Sequence, residues 1–214
     1  MTTRIIIARH GNTFTKEQTP TRVGGRTDLD LVETERGTNV GRYLKQENLV
    51  PDMVYAAPLK RTRKTAELAI AAMGKNIPFE LDDSFVEIDY GPDENKTEAE
   101  VIARIGQDAI DKWNESAIVP NGWVVSIEGI IEAWNKFARK VETQFAGKTV
   151  MVVSSNGIIR FAPYLTGDFE GFCRDNDIKV GTGNVCIFEK ETGDKHWKCK
   201  GWNIKPKNFL PEAK

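Results

Sequence analysis

Apolar positions in this chain fall into short unbroken runs separated by longer mixed stretches. Ile5–Ile7 and Val150–Val153 are apolar at every position. A strand carries such a run when both its faces are buried, as in the middle of a parallel sheet. The pattern predicts strands at 3–9, 53–57, 77–81, 149–154, 184–189 and 195–202. Helices are predicted at 34–47, 59–73, 97–115, 127–146 and 157–166. Strands alternating with helices place the chain in the α/β class, as a three-layer sandwich with a mostly parallel central sheet flanked by helices.

The first strand ends in chemistry. Residues 4–13 read Arg-Ile-Ile-Ile-Ala-Arg-His-Gly-Asn-Thr, so Arg9 and His10 stand at the strand's carboxyl end, where open α/β sheets place their ligands. An imidazole accepts or relays a group near neutral pH, and a guanidinium fork beside it matches phosphate or carboxylate. Taken alone, the pair is read equally well as a strand cap in solvent. About fifty residues later, Val54–Glu67 reads as a short strand, a turn at Pro58 and a helix from Leu59. Proline is tolerated at a helix start because the first amides have no intrahelical partner. Arg61 then falls in the first helical turn, where free amides and the dipole also favour an anion.

Arg9-His10-Gly11, followed by Ala57-Pro58-Leu59-Lys60-Arg61-Thr62-Arg63-Lys64-Thr65-Ala66, resembles the paired signatures of the histidine phosphatase superfamily, the phosphoglycerate-mutase-like proteins. The resemblance extends through most of the chain. Gly25–Asp28 with Thr34–Gly37 is similar to the loop before the family's first helix, with extra residues between. Phe85–Gly91 is similar to the segment whose glutamate, here Glu87, donates a proton in the family's phosphatases. Thr149–Ser154 with Gly157–Arg160 is similar to the segment carrying the second active-site histidine. There the chain departs from the pattern: it has Ser155 and Asn156 where relatives carry that histidine and a glycine. His10 and His196 are the only histidines, and His196 lies in a late alternating segment that reads as structural. Asn12 replaces a glutamate common in relatives, and Lys16 an asparagine that helps hold phosphate.

The resemblance implies a phosphoglycerate-mutase-like fold and a phosphoryl-transfer site. Arg9 and Arg61 would clamp the equatorial oxygens, His10 would attack phosphorus, and Glu87 would protonate the leaving alkoxide. Ser155 and Asn156 would give neutral hydrogen bonds where a charged donor stood, with Asn12 and Lys16 as further possible phosphate contacts. Neutral donors to an anion are about half as strong as charged ones. The scheme requires no metal and no cofactor. Three functions stay open: a phosphatase, a mutase-type phosphotransferase, and a phosphate-ligand-binding protein with little turnover. Residues 91–125, with Trp113, Pro120 and Trp123, resemble the family least and read as a helical lid whose aromatics are mainly core.

The 214 residues suit one domain with a substantial core. With 30 basic and 31 acidic side chains the net charge is −1, which gives no footprint for nucleic acid or an anionic membrane. The basic run Lys60–Lys64 reads as a solvated helix face. Cys173, Cys186 and Cys199 are an odd, widely spaced set and read as idle thiols. No apolar stretch reaches the length of a membrane span, and the first strand begins at once, so a cytoplasmic protein is expected. The partner implied is a small phosphorylated substrate of open identity, and the oligomeric state is not fixed.

Overall fold

The computed structural model describes residues 1–211. Six strands, β1 (Thr2–Arg9), β2 (Met53–Ala56), β3 (Phe79–Leu81), β4 (Thr149–Ser154), β5 (Val185–Glu191) and β6 (Lys198–Ile204), join in the order β3-β2-β4-β1-β5-β6. The strands β3, β2, β4 and β1 are parallel, while β5 and β6 run antiparallel and close one edge as a hairpin. The helices are α1 (Glu35–Gln46), α2 (Lys60–Met73), α3 (Glu98–Ile105), α4 (Gln107–Ser116), α5 (Ile127–Gln144), α6 (Asn156–Ile159) and α7 (Phe169–Asp175). The expected sandwich with its mostly parallel sheet is therefore present.

Alternation along the strands divides the core in two. Ile5, Ile7, Val150 and Val152 pack with Phe85, Trp134 and Phe137 on the α5 side. Ile6, Ala8, Met151 and Val153 pack with Val40, Leu44, Ala66 and Ala69 of α1 and α2 on the other. Each such aliphatic side chain, taken fully out of water, contributes roughly 1.5–3 kcal/mol. The β-branched runs thus hold the sheet's centre rigid from both faces.

Three expectations need correction. The helix expected over 97–115 is two helices, broken at Gly106, whose φ of +83° and ψ of 156° only glycine adopts without strain. The helix expected over 157–166 is the single turn α6, followed by a 3₁₀ stretch at Ala162–Thr166 that contains Pro163. The basic run Lys60–Lys64 is not wholly a solvated face, because Arg61 is fully buried. Other readings stand. Trp113 and Trp123 are buried and meet edge to face, the three cysteines are free, and His196 is exposed just before β6. No helix among the described residues is long and apolar enough to cross a membrane.

Register sets where the site lies. Arg9 pairs with Ser154, and Ala56 with Val153, so the parallel strands end level. The chain leaving β1 at His10, β4 at Ser155 and β2 at Ala57 therefore emerges at one edge. Ser154 Oγ donates to Phe85 O at 2.8 Å, which ties the segment carrying Glu87 to the end of β4.

Candidate active site

His10 is buried at the end of β1, its backbone N–H donating to Ser154 O at 3.1 Å. Its Nδ1 lies 2.7 Å from the carbonyl of Gly11. A carbonyl only accepts, so Nδ1 carries the proton and Nε2 keeps its lone pair. Burial holds the imidazole well below its ordinary pKa, and the positive charges of Arg9 and Arg61 push the same way. His10 is thus a neutral ring with one basic nitrogen.

Arg61 reaches this point through α2. Gly11 N–H donates to Thr65 Oγ1 at 3.0 Å, and that hydroxyl donates to Arg61 O at 2.7 Å, joining the end of β1 to the first turns of α2. The Arg61 guanidinium is fully buried and donates to Thr27 O at 2.8 Å and Gly24 O at 3.2 Å. That loop is held in turn by Glu94, which accepts from Gly24 N at 3.0 Å and from Thr27 Oγ1 at 2.7 Å. Arg9 donates through Nη1 to Val180 O. In both arginines Nε is buried without a hydrogen-bond partner. A buried N–H left unpaired costs roughly 1–3 kcal/mol, and Arg22 Nε carries the same cost.

Glu87 is buried, and its carboxyl accepts from Ile88 N at 2.9 Å and from Gly157 N at 3.2 Å. A side chain at Gly157 would put its Cβ 2.2 Å from Glu87 Oε1, so glycine is what lets the carboxyl dock on α6. Burial raises the Glu87 pKa, against the pull of Arg61, the two amides and Arg9. The result is a carboxyl that holds its proton more tightly than an exposed one. The Gly157 amide, at the amino end of α6, is thus taken by Glu87.

At the end of β4, Asn156 Oδ1 accepts from Val180 N at 2.8 Å, which leaves its Nδ2 as the donor on the cavity wall. Ser155 is fully buried behind that wall, and its Oγ has no partner. Arg160 lies 3.9 Å over the Trp113 ring and donates to Trp113 O. Burial pulls its pKa down to about 10, so it stays cationic at neutral pH.

A cavity of about 590 Å³ is lined by Arg9, His10, Glu87, Asn156 and Arg160, while Arg61 and Ser155, both fully buried, are not part of its wall. Lys16 reaches the wall from an exposed loop. Asn12 also lines it, but its amide is committed. Oriented to satisfy both atoms, it donates to Thr182 Oγ1 at 2.6 Å and accepts from Arg36 Nε at 3.1 Å. Arg22, Tyr90, Glu98, Asn114, Lys179 and Thr182 also line the wall and are not singled out by the sequence. Tyr90 lies inside the Phe85–Gly91 motif, which is its one local signal. Arg22 and Glu98, paired at 2.5 Å across 76 positions, left no local signal.

The sequence pattern of the histidine phosphatase superfamily (branch 1) matches residues 5–205. The chain belongs to this superfamily. Among curated relatives, the 2,3-bisphosphoglycerate-dependent phosphoglycerate mutase of Arthrobacter sp. is 29% identical over 56% of this chain and 49% of its own length. The corresponding mutase of Nocardia farcinica is 27% identical over 69% of this chain and 58% of its own. The chain thus spans about half of the first of these relatives and under two thirds of the second. Solved structures agree on the fold. A mycobacterial glucosyl-3-phosphoglycerate phosphatase superposes with a TM-score of 0.74 at 17% identity, covering 95% of this chain and 100% of its own. A phosphoglycerate mutase from Bacillus anthracis gives 0.76 at 17%, covering 95% and 94%.

Proposed function

We propose that this superfamily member is a metal-independent phosphatase that cleaves a phosphomonoester through a phosphohistidine at His10. The observation that carries the reading is the neutral His10 ring, with Nε2 free, beside two guanidiniums whose Nε–H groups are buried and unpaired. In the first step Nε2 attacks phosphorus and the bond to the ester oxygen breaks. Glu87 passes its proton to the departing alkoxide. Water then attacks the phosphohistidine, returns a proton to Glu87, and releases inorganic phosphate with a free imidazole. Arg9 and Arg61 take the charge of the equatorial oxygens throughout. Asn156 Nδ2 adds a neutral donor, and Ser155 Oγ, orphaned behind the wall, is the second. Lys16 supplies charge at the rim, whereas Asn12 holds the loop together.

Residues 91–125 act as the lid of a single catalytic domain and shape the choice of leaving group, because Glu98, Trp113 and Asn114 stand on the cavity wall. A mutase reading differs only in the fate of the phosphohistidine, which returns its phosphate to an acceptor instead of water. The mutase names of the curated relatives favour it. Replacement of the second histidine favours a third reading, ligand binding with little turnover.

The test is a panel of small phosphomonoesters with acid and base quenching. Phosphate release together with a base-stable, acid-labile phosphoenzyme supports the proposal, and His10→Asn should abolish both, slowing turnover by at least about a thousandfold. Isomerisation of phosphoglycerates without net release would place the mutase first. Ligand-induced melting shifts without a phosphoenzyme would leave the binding reading.

A further inference from the structure

We propose that a second cavity, beside the first, is an anion subsite that receives a distal phosphate or carboxylate. This rests on the phosphomonoester reading, for the source favoured here is a second acidic group on the substrate itself. The second cavity, of about 340 Å³, shares Asn12, Lys16 and Thr182 with the catalytic one. The Asn12–Thr182 hydrogen bond is therefore a saddle between two lobes of one cleft.

The charge of the second lobe is unlike that of the molecule. Lys16, Arg36, Lys205 and Lys207 face only two carboxylates, Glu33 and Glu35. Arg36 pairs with Glu33 and Lys207 with Glu35, each at 3.5 Å. Among the described residues Lys16 and Lys205 have no ion pair, so a surplus of about two positive charges lines a concave wall in a protein of net charge −1. Concave, one-signed walls focus the field onto whatever enters them. Arg36 is also fixed in place, donating to Thr182 O at 2.9 Å and to Asn12. That surplus matches one phosphate dianion. A substrate with its reacting phosphoryl group at His10 and a second acid group one chain length away would lie across the saddle, with Lys16 above it.

Straight-chain alkanediol monophosphates and bisphosphates of four, six and eight carbons serve as a ruler. At one chain length the bisphosphate should exceed its monophosphate in kcat/KM by about tenfold, through KM, because one well-placed charge contact is worth about that factor. The exposed pair Lys205→Ala/Lys207→Ala should erase the gain and leave the monophosphates unchanged, while Lys205→Arg/Lys207→Arg should retain it. Calorimetric titration with inorganic phosphate separates the sources. Two phosphate sites in the wild type and one in the double alanine variant, without any bisphosphate gain, would assign the subsite to free anion. Neither a gain nor a second phosphate site would overturn the proposal. If no ester of either series turns over, the phosphatase reading fails, and the phosphate stoichiometry still decides the subsite.

Discussion

At the end of β1 and the start of α2 the chain presents charge: Arg9, Arg61 and the lone pair of His10. At the end of β4 it presents small neutral groups, Ser155 and Asn156, and an α6 amide already bonded to Glu87. Both halves sit on level ends of parallel strands, so the contrast lies in side chains and not in backbone. In the proposed reaction one half holds the anion and receives it. The other carries a carboxyl whose pKa is raised by burial, and it adds only neutral donors. On the proposed reading, phosphate is bound through one half and the proton comes from the other, so substitutions on either side should fail differently.

The largest effect should come from the acid. Glu87→Gln keeps an acceptor for one amide but has no proton to give, so esters with poor leaving groups should slow by about 10²–10⁴-fold while phosphate affinity holds. Gly157→Ala, which displaces the same carboxyl, should reproduce this preference for good leaving groups more weakly. A leaving-group series measured on both variants checks the point. Equal slowing across the series would remove Glu87 from its role. Asp89 is no replacement, since it pairs with Arg26 at 3.0 Å and caps Gly91 N.

On the charged side, Arg61→Lys should lower kcat/KM by about 10²–10³-fold for good and poor leaving groups alike. It should also lower Tm, because Thr27 O and Gly24 O are bonded by separate nitrogens of the guanidinium fork, a spacing that the single nitrogen of an ammonium does not reproduce. Loss of activity at unchanged Tm, or loss confined to poor leaving groups, would blur the division between the halves.

Acid sharpens the comparison through stability. His10 has a folded pKa well below its unfolded value, so below about pH 6.5 the unfolded chain binds a proton that the folded chain refuses. Stability should therefore fall as pH drops below that point, by up to about 1.4 kcal/mol per pH unit until the folded pKa is reached. Glu87 works with the opposite sign. Its raised pKa favours the folded state at low pH, and that contribution fades as pH rises through the carboxyl range. Urea unfolding of wild type and His10→Asn between pH 7.5 and 5.5 should show the acid loss in the wild type only. A parallel decline in both would mean that the imidazole protonates freely in the folded protein.

The smallest effect belongs to Ser155. Its hydroxyl is buried and unpaired, so Ser155→Ala should stabilise the ligand-free protein by up to about 1 kcal/mol. The same change should raise KM a few-fold through loss of a neutral donor. A fall in Tm would mean that the hydroxyl has a partner in the free protein, and an unchanged KM would remove it from phosphate binding.

Sequence was most informative where one segment carries both the element and its chemistry. The run Ile5–Ile7 marks a doubly buried strand, and the positions after it are necessarily at its end, so Arg9 and His10 could be located together. Arg61 followed from Pro58 in the same way. Its burial could not be read there, because the carbonyls that hold it belong to residues 24 and 27 and the side chain that holds them to residue 94. The amide taken by Glu87 was equally hidden, since the two residues are 70 positions apart. Gly106 is the opposite case: a lone glycine inside a helical stretch was a local sign of the break, and weighting it would have divided the helix correctly. Lys205 and Lys207 gave no sign, because a late lysine reads as solvated until the fold brings it beside Lys16.

The position of β1 has a consequence for how the molecule comes into being. Its two neighbours in the sheet are β4 and β5, and Arg4 meets Thr149 across 145 positions of chain. During synthesis, Ile5–Ile7 leaves the ribosome about 145 residues ahead of β4, the first of these two neighbours to be made, so neither edge is paired in that interval. At roughly 5–20 residues per second that interval is on the order of ten seconds, during which a sticky strand is open to any other nascent chain. Long-range pairing of this kind also makes folding slow. The histidine met earliest in the sequence thus becomes part of a site among the last things to form, and conditions that prolong translation or lack chaperones should be harder on yield than on the finished protein.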